Sequence, residues 1–128
     1  MKINFKNKIL FVGYGAVSKC ALPILLKEIN VPLENITVID FEDKSKEIEK
    51  FTEKGLKFFK ERITPDNLDK ILSKYLHSGD LLIDLAWNID CNEIVNWCHK
   101  NEILYINASV EEWDSISCIN KKCPFEKL

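Results

Sequence analysis

The sequence predicts an α/β domain: a doubly wound parallel sheet of about five strands with helices on both faces. Three observations predict it. Ile9 to Val12 is an apolar run without alternation, as in a strand covered on both sides. Gly13-Tyr14-Gly15-Ala16-Val17-Ser18 follows it directly and opens a helical pattern. From there, short apolar runs alternate with helical patterns to about Ile106, the rhythm of right-handed strand–helix–strand crossovers.

A strand that ends in G-x-G-x-x-(small) and opens a helix is a Rossmann-type, dinucleotide-binding turn. Gly13 allows the tight turn, and Gly15 lets the backbone approach a pyrophosphate with no Cβ in the way. The helix behind offers free N–H groups and a positive dipole end to the phosphates, beginning with Ala16 and Val17. Ser18 stands where the fingerprint has its third glycine and is small enough for close helix–strand packing. The next apolar run, Ile36 to Ile39, ends at Asp40, about 20–25 residues past the glycines, where a carboxylate would accept hydrogen bonds from the adenosine ribose. An ordinary glycine turn with an unrelated surface Asp40 is the competing reading, and the strand–turn–helix–strand order speaks against it. Asp40 would repel a 2′-phosphate. The only arginine, Arg62, is placed after the third strand and not beside Asp40, leaving Lys44 as the nearby cation, so NAD is the expected cofactor.

The elements follow in order. Ala16 to Ile29 is a helix whose apolar face is expected to be Val17, Ala21, Ile24, Leu25 and Ile29, with Pro23 removing one donor inside it. Val31 to Leu33 connects to the second strand. Glu42 to Lys54 reads as a strongly charged helix with Ile48 and Phe51 as its apolar positions, ended by Gly55. Leu56 to Phe59 is a short third strand. Thr64-Pro65 starts the next helix, Thr64 as cap and Pro65 at the first position, with Leu68, Ile71, Leu72, Tyr75 and Leu76 repeating on one face. Ser78-Gly79-Asp80 ends it before the fourth strand, Leu81 to Leu85. A helix over Cys91 to His99 carries a stripe of Cys91, Ile94, Val95 and Cys98, and Leu104 to Ile106 is the fifth strand. The expected strand order 3-2-1-4-5 places the switch point between strands one and four. Phe41 after the second strand, Leu85 at the end of the fourth with Ala86, Trp87 and Asn88 after it, and Asn107, Ala108 and Ser109 after the fifth then line the same crevice. Trp87 and Trp113 read equally well as core aromatics or as covers for a cofactor or another domain.

Composition narrows the function classes. The net charge of −2 gives no electrostatic footprint for nucleic acid or an anionic membrane. No apolar run approaches the ~20 residues of a membrane span, and MKINFKNK lacks the apolar stretch of a secretory signal. Five cysteines, an odd number, together with a cofactor motif point to a reducing cytoplasm. Cys20, Cys91 and Cys98 read as small hydrophobes on helices. Cys118 and Cys123 lie in an irregular tail with His77 and His99 far away in sequence, so no metal site and no cysteine nucleophile is expected.

Three stretches together resemble the homospermidine synthases, relatives of the saccharopine dehydrogenase group. They are ILFVGYGAVSKCALPILLKEI followed by ITVID; RITPDNLDKIL followed by GDLLIDLAWNID; and WCHKNEILYINASVEEW. The resemblance spans roughly residues 8 to 113. The chain departs from it at Ser18, where the family usually has glycine, and at Glu111-Glu112-Trp113, where the family has glutamate–proline–tryptophan. The resemblance implies NAD as a recycled cofactor and putrescine as the diamine substrate. One amine is oxidised to an imine by hydride transfer, a second amine attacks, ammonia leaves, and the hydride returns to give homospermidine. It implies contact of Glu111 with a substrate ammonium; a surface glutamate is the alternative. Family members are several times longer, with a second domain that supplies most of the substrate pocket and a possible route to a homo-oligomer. Residues 1–113 are therefore expected to be the cofactor domain. Residues 114–128 are expected to be an irregular tail, before either a missing second domain or the end of a stand-alone module.

Three functions compete at this point. The first is the NAD-binding part of a homospermidine synthase-like enzyme, inactive by itself. The second is another amine or amino-acid oxidoreductase of the saccharopine type, since one fold hosts many chemistries. The third is a non-catalytic dinucleotide-binding module whose tail and tryptophans meet a partner.

Overall fold

The computed structural model describes residues 2–86 and 90–107. In chain order they form β1 (Ile3–Asn4), β2 (Ile9–Val12), α1 (Ala16–Glu28), β3 (Ile29–Asn30), a 3-10 turn (Leu33–Asn35), β4 (Ile36–Asp40), α2 (Glu49–Thr52), β5 (Lys57–Lys60), α3 (Leu68–Tyr75), β6 (Leu81–Asp84), α4 (Cys91–Lys100) and β7 (Leu104–Asn107). Five strands make one sheet in the order β5-β4-β2-β6-β7, all parallel, the doubly wound arrangement expected from the sequence. β1 and β3 form a separate two-residue parallel ladder, pairing Ile3 with Ile29, which the periodicity did not reveal.

Both faces of the sheet are buried, so its three inner strands are apolar throughout apart from Thr37, Asp40 and Asp84. Ile9, Phe11, Ile36, Val38, Leu81 and Ile83 face α1 and α2. Leu10, Val12, Ile39 and Leu82 face the other way, toward α3 and α4. Each strand–helix–strand unit leads outward from the centre, so the two halves place their helices on opposite faces.

Several local expectations need correction. The buried face of α1 is centred on Ser18 and Leu22, both fully covered, while Val17 and Ile24 are 55% and 61% exposed. The run Ala-Leu-Pro-Ile-Leu-Leu is apolar nearly all round, so hydrophobicity could not select the face; the small Ser18 does, by letting the helix close onto the turn. Pro23 lies on the solvent side and the helix runs through it without a break. Cys20 is exposed, whereas Cys98 is buried. The charged stretch after β4 forms a helix only over Glu49–Thr52, because Ile48 and Phe51 are its sole inward anchors and cannot hold a longer one. Gly55 ends it at φ +118°. α3 begins at Leu68, after a turn. Asn67, not Thr64, organises that start: its Oδ1 accepts the Thr64 N–H at 2.7 Å and its Nδ2 donates to the Arg62 carbonyl at 2.9 Å. In α4 the buried residues are Ile94, Trp97 and Cys98, with Val95 exposed; the Trp97 indole N–H donates to Asp69 and ties α4 to α3.

Asp80 fixes the entry to β6. Its buried carboxylate accepts the backbone N–H of Lys8 at 2.9 Å and of His77 at 2.7 Å, joining the starts of two strands. On β7, Leu104 and Ile106 share the sheet face of Leu81 and Ile83 but are 56% and 53% exposed, because α1 does not reach that far among the described residues. The Lys19–Glu47 ion pair turns one flank of α1 toward the segment before α2, and the exposed Val17 and Ile24 lie on the other flank.

Candidate functional site

The carboxyl ends of the parallel strands hold a groove of about 500 Å3, within the range of small-molecule sites. Val12, Gly13, Tyr14 and Gly15 form its middle, at the end of β2. Leu85 and Ala86 bound it on the β6 side. Ile39, Asp40, Phe41, Glu42 and Lys44 follow β4, and Glu61 to Pro65 follow β5. It therefore straddles the point where the strand order reverses.

Each half of the turn has a separate physical role. Gly13 sits at φ +95°, and a Cβ there would meet the Cα and N of Ala86 at 2.9 Å. It is the point where β2 and the β6 loop touch. Gly15 is different. A Cβ there would meet nothing within 4 Å among the described residues, and Gly15 lines the groove with bare backbone. Gly15 also caps α1 with no side-chain hydrogen bond, and the first turn has no acidic residue, leaving amide donors for an anion. Ser18 is fully buried, and its hydroxyl donates to the Gly13 carbonyl at 2.5 Å, closing the turn onto the helix. The Tyr14 ring packs beneath the turn, and burial raises its phenol pKa above the ordinary value.

Asp40 ends β4 and is buried, 8% exposed as a residue. One oxygen accepts the Tyr14 N–H at 2.7 Å and the other accepts the Glu42 N–H at 2.8 Å. Lys44 lies 3.7 Å from Glu42 and 3.6 Å from Glu47, so two acidic neighbours share its charge. The Arg62 guanidinium stands 5.1 Å over the Phe41 ring centroid. Arg62 is therefore in the same groove as Asp40, contrary to its expected separation.

Beside β6, Asp84 is buried and accepts the Tyr105 hydroxyl at 2.8 Å; Asn107 Nδ2 donates to that hydroxyl at 2.8 Å. The network joins the ends of β6 and β7. Cys98 lies against it, its thiol pushed up to about 12 by burial and by the Asp84 charge, which keeps it protonated and unreactive.

Of the sequence-derived candidates, the groove brings together Gly13, Tyr14, Gly15, Asp40, Phe41, Leu85 and Ala86. Ala16 opens α1 next to it, and Val17 points from the outer flank of the helix. Ala108, Ser109, Glu111, Trp87, Asn88, Trp113, Cys118, Cys123 and the boundary at 113/114 lie outside the described residues. Lys44, expected as the cation near Asp40, also lines the groove, whereas Glu42 and the Glu61–Pro65 segment are groove residues that motif reading missed. The rule that ligands bind beyond the carboxyl ends of parallel strands, applied to the third strand as well, would have found the latter.

Comparison with known proteins follows the same line. Residues 9–124 match the profile of a family described as the saccharopine dehydrogenase NADP binding domain. The chain is 25% identical over 108 residues to a homospermidine synthase of Mesorhizobium japonicum and 24% identical over 108 residues to that of Blastochloris viridis, each alignment covering 82% of this chain and 22% of the relative. A crystal structure of the homospermidine synthase of Legionella pneumophila in complex with NAD superposes with a TM-score of 0.81 at 28% identity, covering 88% of this chain and 24% of that one. The chain thus spans about a quarter of the length of these proteins.

Proposed function

The chain belongs to the saccharopine dehydrogenase NADP-binding domain family, and from that premise we propose that it is the NAD-holding domain of a homospermidine synthase-like enzyme. The observation that carries this reading is the open space over Gly15 at the strand-order switch, where a pyrophosphate fits against bare backbone.

Gly15 and the first amides of α1 hold the pyrophosphate. Asp40 faces the adenosine ribose with the lone pairs left over from its two backbone bonds. Leu85, Ala86 and Ala108 bound the nicotinamide end, and Glu111 contacts a substrate ammonium. Bound NAD supplies the hydride acceptor and donor for amine chemistry. The protein's part is to hold the cofactor rigidly at the strand ends, while carboxylates around the site attract a cationic diamine such as putrescine. NAD is preferred over its 2′-phosphorylated form, because Asp40 and Glu42 present negative charge after β4 and Lys44 is shared between Glu42 and Glu47. An enzyme of this kind works in the cytoplasm, where its five cysteines stay reduced.

Calorimetric titration of the purified chain with NAD tests the reading, with the 2′-phosphorylated form as competitor. Saturable one-site NAD binding is expected. Absence of binding would refute the domain assignment, and tighter binding of the phosphorylated form would refute the role of Asp40.

A further inference from the structure

A dinucleotide laid across the groove with its pyrophosphate at Gly15 sends one half toward Leu85 and Ala86 and the other over the ends of β4 and β5. On this second side stands a feature with no evident structural purpose. Phe41 is 40% exposed at the groove wall, with the Arg62 guanidinium over its ring. Among the described residues the other two cation–ring pairs, Lys50 with Phe51 and Lys74 with Tyr75, join adjacent residues of one segment. Phe41 and Arg62 come from different segments, and the backbone on both sides is pinned. The Glu61 N–H donates to the Asp40 carbonyl at 2.9 Å, extending the β4–β5 ladder, and Asn67 holds the Arg62 carbonyl. Arg62 makes no ion pair among the described residues, whereas Lys44 makes two. A guanidinium braced by an aromatic ring presents a planar cation, and a planar cation favours the π-face of a purine.

We infer that Arg62, braced by Phe41, is the surface on which the adenine ring of the cofactor stacks. The inference rests on the domain reading above. Stacking is indifferent to the ribose 2′ substituent, so Arg62 contributes affinity for the adenine end without selecting between the two forms of the cofactor.

The test is titration of wild type, Arg62→Ala, Arg62→Lys, Phe41→Leu and Gly15→Val with NAD, its 2′-phosphorylated form and ADP-ribose, with folding followed by circular dichroism. Arg62→Ala is expected to weaken all three ligands by a common factor of about tenfold. Arg62→Lys keeps the charge but not the plane, and is expected to fall with Arg62→Ala. Phe41→Leu removes only the brace and is expected to cost less. Arg62→Lys at wild-type affinity, or a loss confined to the 2′-phosphorylated form, would overturn the inference in favour of a simple charge contact. If Gly15→Val loses NAD while Arg62→Ala does not, the stacking surface is wrong and the domain reading stands. If wild type binds no NAD, both fall.

Discussion

The carboxylate of Asp40 accepts a hydrogen bond from the Tyr14 backbone at 2.7 Å and thereby clamps the glycine turn to the end of the neighbouring strand. The residue expected to read a ribose thus also holds the fold. Asp40→Asn keeps the shape but turns one of two acceptors into a donor facing an amide. Stability is expected to drop by about 2 kcal/mol, measured by urea unfolding without ligand. An unchanged midpoint would mean that the clamp carries no weight and that Asp40 serves the ligand alone.

The two groove glycines should part company on substitution. Gly13→Ala forces a Cβ into the Ala86 backbone at a positive φ and should cost at least about 2 kcal/mol of stability. Gly15→Ala should fold like wild type, since nothing lies within 4 Å of its Cβ. Gly15→Val should stay folded and lose NAD affinity by at least about tenfold, near 1.4 kcal/mol. Matched thermal melts and titrations of the three variants separate the roles.

Ser18 replaces a glycine of the usual fingerprint yet is buried with its hydroxyl on the Gly13 carbonyl. Ser18→Ala should lose about 1 kcal/mol through that unpaired carbonyl. Ser18→Val should lose more, by pushing α1 off the turn. Denaturant midpoints of the pair test this order.

The Tyr75 hydroxyl donates to Glu61 at 2.6 Å, and Lys74 reaches the same oxygen at 3.2 Å. The Tyr75 hydrogen bond, followed by the Lys74 contact, holds the Glu61 carboxyl below its ordinary pKa. The folded pKa is depressed, so the stabilisation is present above the unfolded value of about 4.3 and is lost as pH falls through the folded value. Tyr75→Phe should therefore cost about 1–2 kcal/mol at pH 7 and much less near pH 3. A pH-independent difference would locate the effect in ring packing.

Incubated with NAD and putrescine, the 128-residue chain is expected to form no homospermidine above a Gly15→Val control, as read by mass spectrometry. The groove of about 500 Å3 lies at the strand ends, and the described residues leave its outer side open to water. A reactive imine needs enclosure. Product from this chain alone would show that the 22% of the relatives it spans suffices.

How much could be read from residues alone depends on the range of the interaction. Strands, order and turn were legible because they repeat a local pattern: an unbroken apolar run, a glycine pair, an acid at the next strand end. The buried face of α1 was read correctly at Ala21, Leu25 and Ile29 but wrongly at Val17 and Ile24, because apolar residues surround the helix and the decisive contact is a serine hydroxyl reaching back five positions. Arg62 was misplaced for a longer-range reason. β4 and β5 pair Asp40 with Lys60, so a residue 22 positions away in sequence emerges two steps past Asp40's neighbour. Adjacency between strand ends is a property of register, which no single segment contains.

The two margins of the sheet are unequal. β5 carries exposed Lys57 and Lys60 at its ends, charges that discourage another strand from docking. β7 reads Leu-Tyr-Ile-Asn, without a charge, has no strand on its outer side among the described residues, and leaves two apolar side chains exposed on one face. Among the described residues, strand addition to the five-stranded sheet therefore has one favoured place to start. A sheet with one adhesive rim pairs rather than growing into a fibre, since a second sheet meeting it rim to rim consumes both. Should the chain self-associate along β7, Ile106→Lys would be the remedy to try first.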